Sequence, residues 1–359
     1  MDGRGGCVRS PVDTDEAVVA VVEFLSAFAL FLMILTAFMS LAQLELGSND
    51  PTTDLVDRSA VEGLERLTSD EGWFVPYVDG VRDSANSTSE WHKISPVDIE
   101  GGAILPGLMN GDTLDSNRIA ALANVSLGDV ITGLGLPDGM QLRLVIKVES
   151  SDDSERTGKI LFEGGSKRMG ASISSIASRT FTNANEVTSV TLEVHNGGTP
   201  PEMLRMTEFS PRPANNGPEW IEVQNLNGFA LSLNGWSFER NGSSGDMDHL
   251  FTEGVVPGGE IVIFSGDITN QETGAASIVY DLGSSGFLGV GSIDGLSDTA
   301  GRLKLLHANS DDFRGTIICL YEWNPSTGIS INNTIQWNGG TPTVDSSWNV
   351  SSTPTPGIV

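Results

Sequence analysis

Trp220-Ile221-Glu222-Val223-Gln224-Asn225 is the stretch from which the fold can be read. Its residues alternate across a pleat, which places Ile221 and Val223 inward and Glu222 and Gln224 outward. Upstream lies Glu208-Phe209-Ser210-Pro211, and Glu219 immediately precedes the alternating run. Downstream, Leu231, Leu233 and Trp236 straddle Asn234-Gly235, a dipeptide that favours a tight hairpin turn. Val256-Pro257-Gly258-Gly259 is a second turn, followed by the apolar strand Ile261-Val262-Ile263-Phe264. Thr355-Pro356-Gly357 stands close to the C-terminus. Strands and turns at this spacing predict an all-β domain over residues 202–359.

In this order, the words from Glu208 to Gly357, with Glu219, Trp220, Ile221, Glu222, Asn225, Leu233, Gly235, Trp236, Pro257, Gly258 and Pro356 at their centres, resemble the lamin tail domain. The resemblance covers roughly Met203 to Val359 and implies an immunoglobulin-like β-sandwich. Lamin tail domains are interaction and adhesion modules, found in prokaryotes on secreted and cell-surface proteins, sometimes beside hydrolases. The resemblance therefore implies a binding module, without catalytic residues, for a surface protein or glycan that it does not name.

The other end of the chain bears on location. From Ala17 to Leu44 the sequence is apolar except for Glu23, Ser26, Thr36, Ser40 and Gln43. As a helix this run reaches about 42 Å, more than the roughly 30 Å hydrocarbon core of a bilayer. Its Val, Leu, Ile and Phe side chains supply about −4.5 to −9 kcal/mol of insertion free energy, against about 3 kcal/mol for Glu23 at the bilayer centre and less near an end. Insertion wins, and a transmembrane helix over 17–44 follows, with a cytoplasmic tail over 1–16. A cleaved secretory signal is the alternative, since Ser40-Leu41-Ala42 has the small-x-small form of a cleavage site, although a typical apolar region of about 7–15 residues is shorter than this one.

Arg4 and Arg9 before the span, and Glu45, Asp50 and Asp54 after it, favour an N-terminus inside and a C-terminal region outside the cell. Sequons at Asn86, Asn124, Asn241, Asn332 and Asn349 all follow the span and are glycosylation candidates. A short tail, an apolar helix with one Glu near its start and an extracellular remainder also resemble the archaeal type IV pilin-like proteins, over about Asp15 to Ala42. That resemblance implies self-assembly through the helix, with Glu23 facing a neighbouring subunit's amine. The plain anchor is the first reading and a filament subunit or minor pilin the alternative.

Net charge is −27, with five lysines (Lys93, Lys147, Lys159, Lys167 and Lys304) among 20 basic residues. Such a charge repels phosphates and argues against nucleic acid as a partner. It fits a surface protein in a salty setting, where ions screen the self-repulsion. Cys7 and Cys319 fall on opposite sides of the predicted membrane, so no disulfide joins them, and Cys319 within Thr316–Tyr321 reads as a buried strand thiol.

Between anchor and sandwich, residues 45–96 read as a helical and loop connector. Thr53 caps a helix to about Thr68 with Leu55, Val56, Leu64 and Leu67 on one stripe, and Asp79 to His92 is loop. Residues 97–195 read as an α+β domain resembling a pilin head. An amphipathic helix spans Asp115 to Thr132, and strands follow at Leu142–Val148, Lys159–Phe162, Ala171–Phe181 and Val187–Val194. Asn196 to Pro201 is the expected linker. The fold class is α+β multidomain: a transmembrane helix, an α+β middle domain and an all-β sandwich.

Few residues point to chemistry. His92, His195, His249 and His307 are scattered singly, with no metal-ligand spacing. Gly242-Ser243-Ser244-Gly245 and Gly283-Ser284-Ser285-Gly286 lack the form of a nucleophile elbow, and glycine-rich 286–295 opens no helix after a strand. No cofactor is expected. Asp246 with Asp248, and Asp311 with Asp312, are the calcium candidates, with solvated acidic loops as the alternative. Trp220, Trp236, Trp323, Trp337 and Trp348 should supply two or three core side chains, any exposed one marking a binding face. The expectation is a non-enzymatic, membrane-anchored surface protein, with a filament subunit or the targeting accessory of a secreted hydrolase as alternatives.

Overall fold

The computed structural model describes residues 12–48, 51–183, 185–198, 203–241, 245–290, 295–309, 312–327 and 329–358. Ala17 to Leu44 contains neither Gly nor Pro, and the chain is one continuous helix over Val12–Ser48. The hydroxyls of Ser26 and Thr36 donate one turn back, to the carbonyls of Val22 (2.8 Å) and Leu32 (2.9 Å), which satisfies them in an apolar setting. The 25 residues Val18–Ala42 are long and apolar enough to cross a membrane or to serve as a signal sequence, and none is buried.

Residues 56 to 359 form a compact unit. In the helix Pro51–Ser69, Val56, Ala60, Leu64 and Leu67 are buried. Leu55, expected on that stripe, is 43% exposed; it sits one residue, about 100°, off the face that Val56 and Ala60 define. Gly63 lies where a Cβ would meet Leu192 Cδ2 at 2.9 Å, so glycine lets the helix approach the middle sheet. That sheet is antiparallel, in the order Ile160–Gly165, Gln141–Ser151, Glu186–His195 and Ser174–Asn183. Leu142, Leu144 and Ile146 alternate into the same core as Val190, Leu192 and Val194, each worth about 1.5–3 kcal/mol by leaving water.

The segment expected as one helix over Asp115 to Thr132 is broken. Ser116–Ala121 is capped by Asp115, a 3-10 turn follows over Leu122–Asn124, and Leu127–Gly133 starts afresh under a Ser126 cap. At the break the Val125 carbonyl accepts from the Ala230 N–H (2.9 Å), while Leu127 N–H donates to the Ala230 carbonyl (3.2 Å). Asn124, Val125 and Ser126 are weak helix formers, and this tertiary pairing takes the backbone groups a helix would use. The expected loop from Asp79 to His92 contains a short strand, Val81–Arg82, and two 3-10 turns, Ser84–Asn86 and Trp91–Lys93. Fully buried Trp91 holds it down, its indole N–H donating to the Glu71 carbonyl at 2.9 Å.

Beyond residues 199–202, which are not among those described, two β-sheets face each other. One has six strands, in the order Ile278–Asp281, Ile261–Ser265, Trp220–Asn225, Leu204–Ser210, Thr334–Trp337 and Trp348–Ser351. Ile278–Asp281 runs parallel to its neighbour and the other pairs are antiparallel. The second sheet is antiparallel, in the order Met247–Leu250, Trp236–Asn241, Gly301–Asn309 and Asp312–Trp323. Phe209, Ile221 and Phe264 of the first pack with Phe238, Leu305 and Trp323 of the second, and Phe238 meets Phe264 edge to face at 5.1 Å. The turn at Asn234-Gly235 exists, with Trp236 N–H donating to the Leu233 carbonyl and Gly235 at φ 85°. It does not join a hairpin: Leu231–Ser232 pairs with Val255–Val256, and Trp236–Asn241 pairs elsewhere. At the second turn, a Cβ on Gly258 would meet the Gly228 carbonyl oxygen at 1.9 Å, so only glycine fits there.

The sandwich and the middle sheet pack together. Phe162 and Phe229 meet at 4.9 Å, and the Asn227 side-chain oxygen accepts from Gly165 N–H at 2.9 Å.

Candidate functional site

Glu222, expected on a solvent-facing side of the sheet, is 1% exposed. The alternation is as read, but the outer face is covered by the C-terminal segment. One Glu222 oxygen accepts from Thr207 Oγ1 (2.5 Å) and the other from the Gly357 N–H (2.6 Å). Glu208 sits beside it and accepts from both the backbone N–H (3.2 Å) and the hydroxyl (2.6 Å) of Thr355, and from Gln336 Nε2 (2.9 Å). The first and last words of the sequence pattern thus meet in space. Burial pushes the Glu222 carboxyl up to about 7, with the Glu208 charge adding to the rise.

Glu219, immediately before the strand Trp220–Asn225, performs an equivalent task. It accepts from the backbone N–H groups of Gly289 (2.8 Å), Gly295 (3.2 Å) and Leu296 (2.7 Å), tying down both sides of the glycine-rich loop. Burial pushes its carboxyl up to about 7 despite those three donors. Asn225 brackets two further turns, its amide donating to the carbonyls of Phe229 and Val256, both at 2.9 Å. These polar residues act as staples for backbone that would otherwise be buried unpaired.

A different group of residues forms an open site. Trp220 pairs in register with Ser265 on one side and Ser210 on the other. The register Phe209 to Ile335 then carries Ser210 beside Thr334, and Thr334 pairs with Ser351. The hydroxyls of Ser265 and Ser351 donate to Gln271 Oε1 (2.9 Å) and the Thr353 carbonyl (3.1 Å). Those of Ser210 and Thr334 are buried with no hydrogen-bond partner among the described residues. Over Ser210 and Trp220 opens a pocket of about 310 Å³, rimmed by Asn215, Gln271 and Asn332 and walled by Pro213 and Pro356. Trp220, Pro356 and Asn332 are each singled out in the sequence for other reasons, but the sequence does not bring them together as a site, because its floor exists only once the strands are paired; the Asn- and Pro-rich run Pro211–Pro218 is a further local sign.

The other sequence candidates lie apart. Asp246 and Asp248 are exposed at one edge of the four-stranded sheet, whereas Asp312 begins the strand at its opposite edge. Asp311 and Cys7 lie outside the described residues. Among the described residues no three His, Cys, Asp or Glu side chains come together as a metal site. Asn86, Asn332 and Asn349 are exposed, Asn124 and Asn241 half-buried, and Glu23 is exposed on its helix. Trp220, Trp236, Trp323 and Trp348 are buried; half-buried Trp337 carries the Arg205 guanidinium 4.3 Å above its ring. Cys319 is a fully buried strand thiol.

No protein-family model matches the chain. No curated protein matches it either. Among solved structures it is similar to a DUF4876 family protein from Bacteroides thetaiotaomicron, at 12% identity over 49% of this chain, with a TM-score of 0.24. The match spans 65% of that protein's chain. At that TM-score the likeness carries no argument about function.

Proposed function

We propose that this chain is a non-enzymatic cell-surface protein, anchored by its N-terminal helix and presenting a lamin-tail-type, immunoglobulin-like sandwich outside the cell as a binding module for protein or glycan. The observation that carries the reading is the helix itself, an apolar surface over Val18–Ala42 with no residue buried. In water such a surface is unfavourable by about 25 cal/mol per Å², and a bilayer relieves it. The motif carboxylates Glu208, Glu219 and Glu222 are engaged by backbone and hydroxyl donors, which fits structural staples of the module rather than catalytic groups.

All five lysines follow the span, so an amine reagent that cannot cross membranes tests the reading. Intact cells should be labelled on these lysines, and the full-length chain should stay in the pellet after alkaline carbonate washing. Labelling only after lysis places the C-terminal region inside and overturns the proposal. A soluble chain beginning near Gln43 overturns the anchor in favour of a cleaved signal.

A further inference from the structure

Two buried hydroxyls without partners among the described residues are an uncommon feature in a folded β-sheet, because each forfeits about 1–3 kcal/mol if nothing satisfies it. Ser210 is 1% exposed and Thr334 fully buried, and each lies one residue beyond the paired Phe209 and Ile335 on adjacent strands. Ser210 forms part of the pocket floor. Above it, Asn215 and Asn332 hold left-handed backbone conformations, with φ of 54° and 66°. Non-glycine residues take that conformation at a cost and cluster at sites where their side chains are put to use.

The chemistry of the lining selects the ligand. Carboxamides and hydroxyls both donate and accept, so they match vicinal hydroxyls, which also do both. Among the described residues no Lys or Arg lines the pocket, and Glu272 is the single carboxylate that does, which disfavours phosphate and other anions. The Trp220 ring and the prolines offer apolar walls for a ring's C–H faces. A volume of about 310 Å³ is at the small end for ligand pockets, enough for one compact polar molecule. We propose that this pocket binds a single neutral sugar ring, with the Ser210 hydroxyl and the Asn215 and Gln271 carboxamides as its polar contacts. The assignment rests on the reading of the sandwich as a binding module and names the class of its ligand.

The test uses the full chain in a detergent without a sugar headgroup, titrated separately with glucose, galactose, mannose and N-acetylglucosamine and followed by saturation-transfer NMR. At least one sugar should bind saturably. Ser210→Ala should weaken that binding about tenfold, the loss of one hydrogen bond, with a melting temperature of the sugar-free protein no lower than wild type, because the hydroxyl has no partner among the described residues. Asn215→Gly keeps the left-handed backbone, deletes the carboxamide at an exposed position and should weaken binding likewise; it carries the test if the first variant does not fold. Absence of binding by all four sugars overturns the assignment and leaves a water-filled niche. Unchanged affinity in the folded variants places the sugar elsewhere and overturns it equally. A chain that labels at the cell surface yet binds none of the four loses the pocket assignment alone.

Discussion

The Glu222 carboxylate accepts the backbone N–H of Gly357 at 2.6 Å, across 135 residues of sequence. Together with Glu208 and Thr355 it fastens the end of the chain over the outer face of the six-stranded sheet. Glu222→Ala strips acceptors from two buried donors, Thr207 Oγ1 and Gly357 N–H, at about 1–3 kcal/mol each. The expected outcome is a lower melting temperature and faster proteolysis beyond Ser351. Unchanged stability with an intact tail would mean that the latch contributes nothing.

Stability should fall as pH rises from mildly acidic to neutral. Burial pushes Glu219 and Glu222 up to about 7, from an ordinary 4.5. Between those values the folded protein keeps protons that the unfolded chain releases, so folding is progressively disfavoured through the window. The contribution is fully present below about 4.5 and lost above about 7, and is on the order of 3 kcal/mol per group. Thermal melts should show a higher midpoint at pH 5 than at pH 8 at constant salt, and Glu222→Gln should flatten part of the slope. A midpoint that rises with pH contradicts this account.

Much of the β-domain is legible in the sequence because the inward residues Phe209, Ile221, Val223 and Phe264 alternate as a pleat requires. The fate of Glu222 is not legible. Alternation assigns it a face, and only the returning tail decides that this face is dry. The break near Val125 is hidden for the same reason, since its partner Ala230 lies in a distant loop. The pocket is the extreme case: Ser210 and Trp220 come to lie side by side in it only through strand pairing, which no local pattern announces.

Trp236 is 5% exposed in the sandwich core and lies against His307 with ring centres 4.6 Å apart. Trp236→Ala should cost about 3–5 kcal/mol, the transfer free energy of the ring plus the cavity it leaves. Chemical denaturation of wild type and variant measures this directly, and a loss below about 1 kcal/mol would mean that the surrounding core collapses into the space.

Glu23 separates a plain anchor from a helix that assembles with copies of itself. It is exposed on the Val12–Ser48 helix, near the start of the apolar span. In a bilayer an ionised carboxylate at that depth costs up to about 3 kcal/mol, less towards the interface. For a plain anchor, Glu23→Gln removes that cost and nothing else, so carbonate-resistant insertion should be retained or improved, with surface labelling unchanged. In a filament core the same carboxylate would need a cationic partner from the neighbouring subunit, and deleting it would leave that partner's charge buried alone, worth several kcal/mol. Assembly would then be lost while insertion survived. Expressing the two chains side by side and measuring both insertion and sedimentation distinguishes the cases. The anchor reading requires identical sedimentation of wild type and variant, and a large complex present only in the wild type would replace it with the filament.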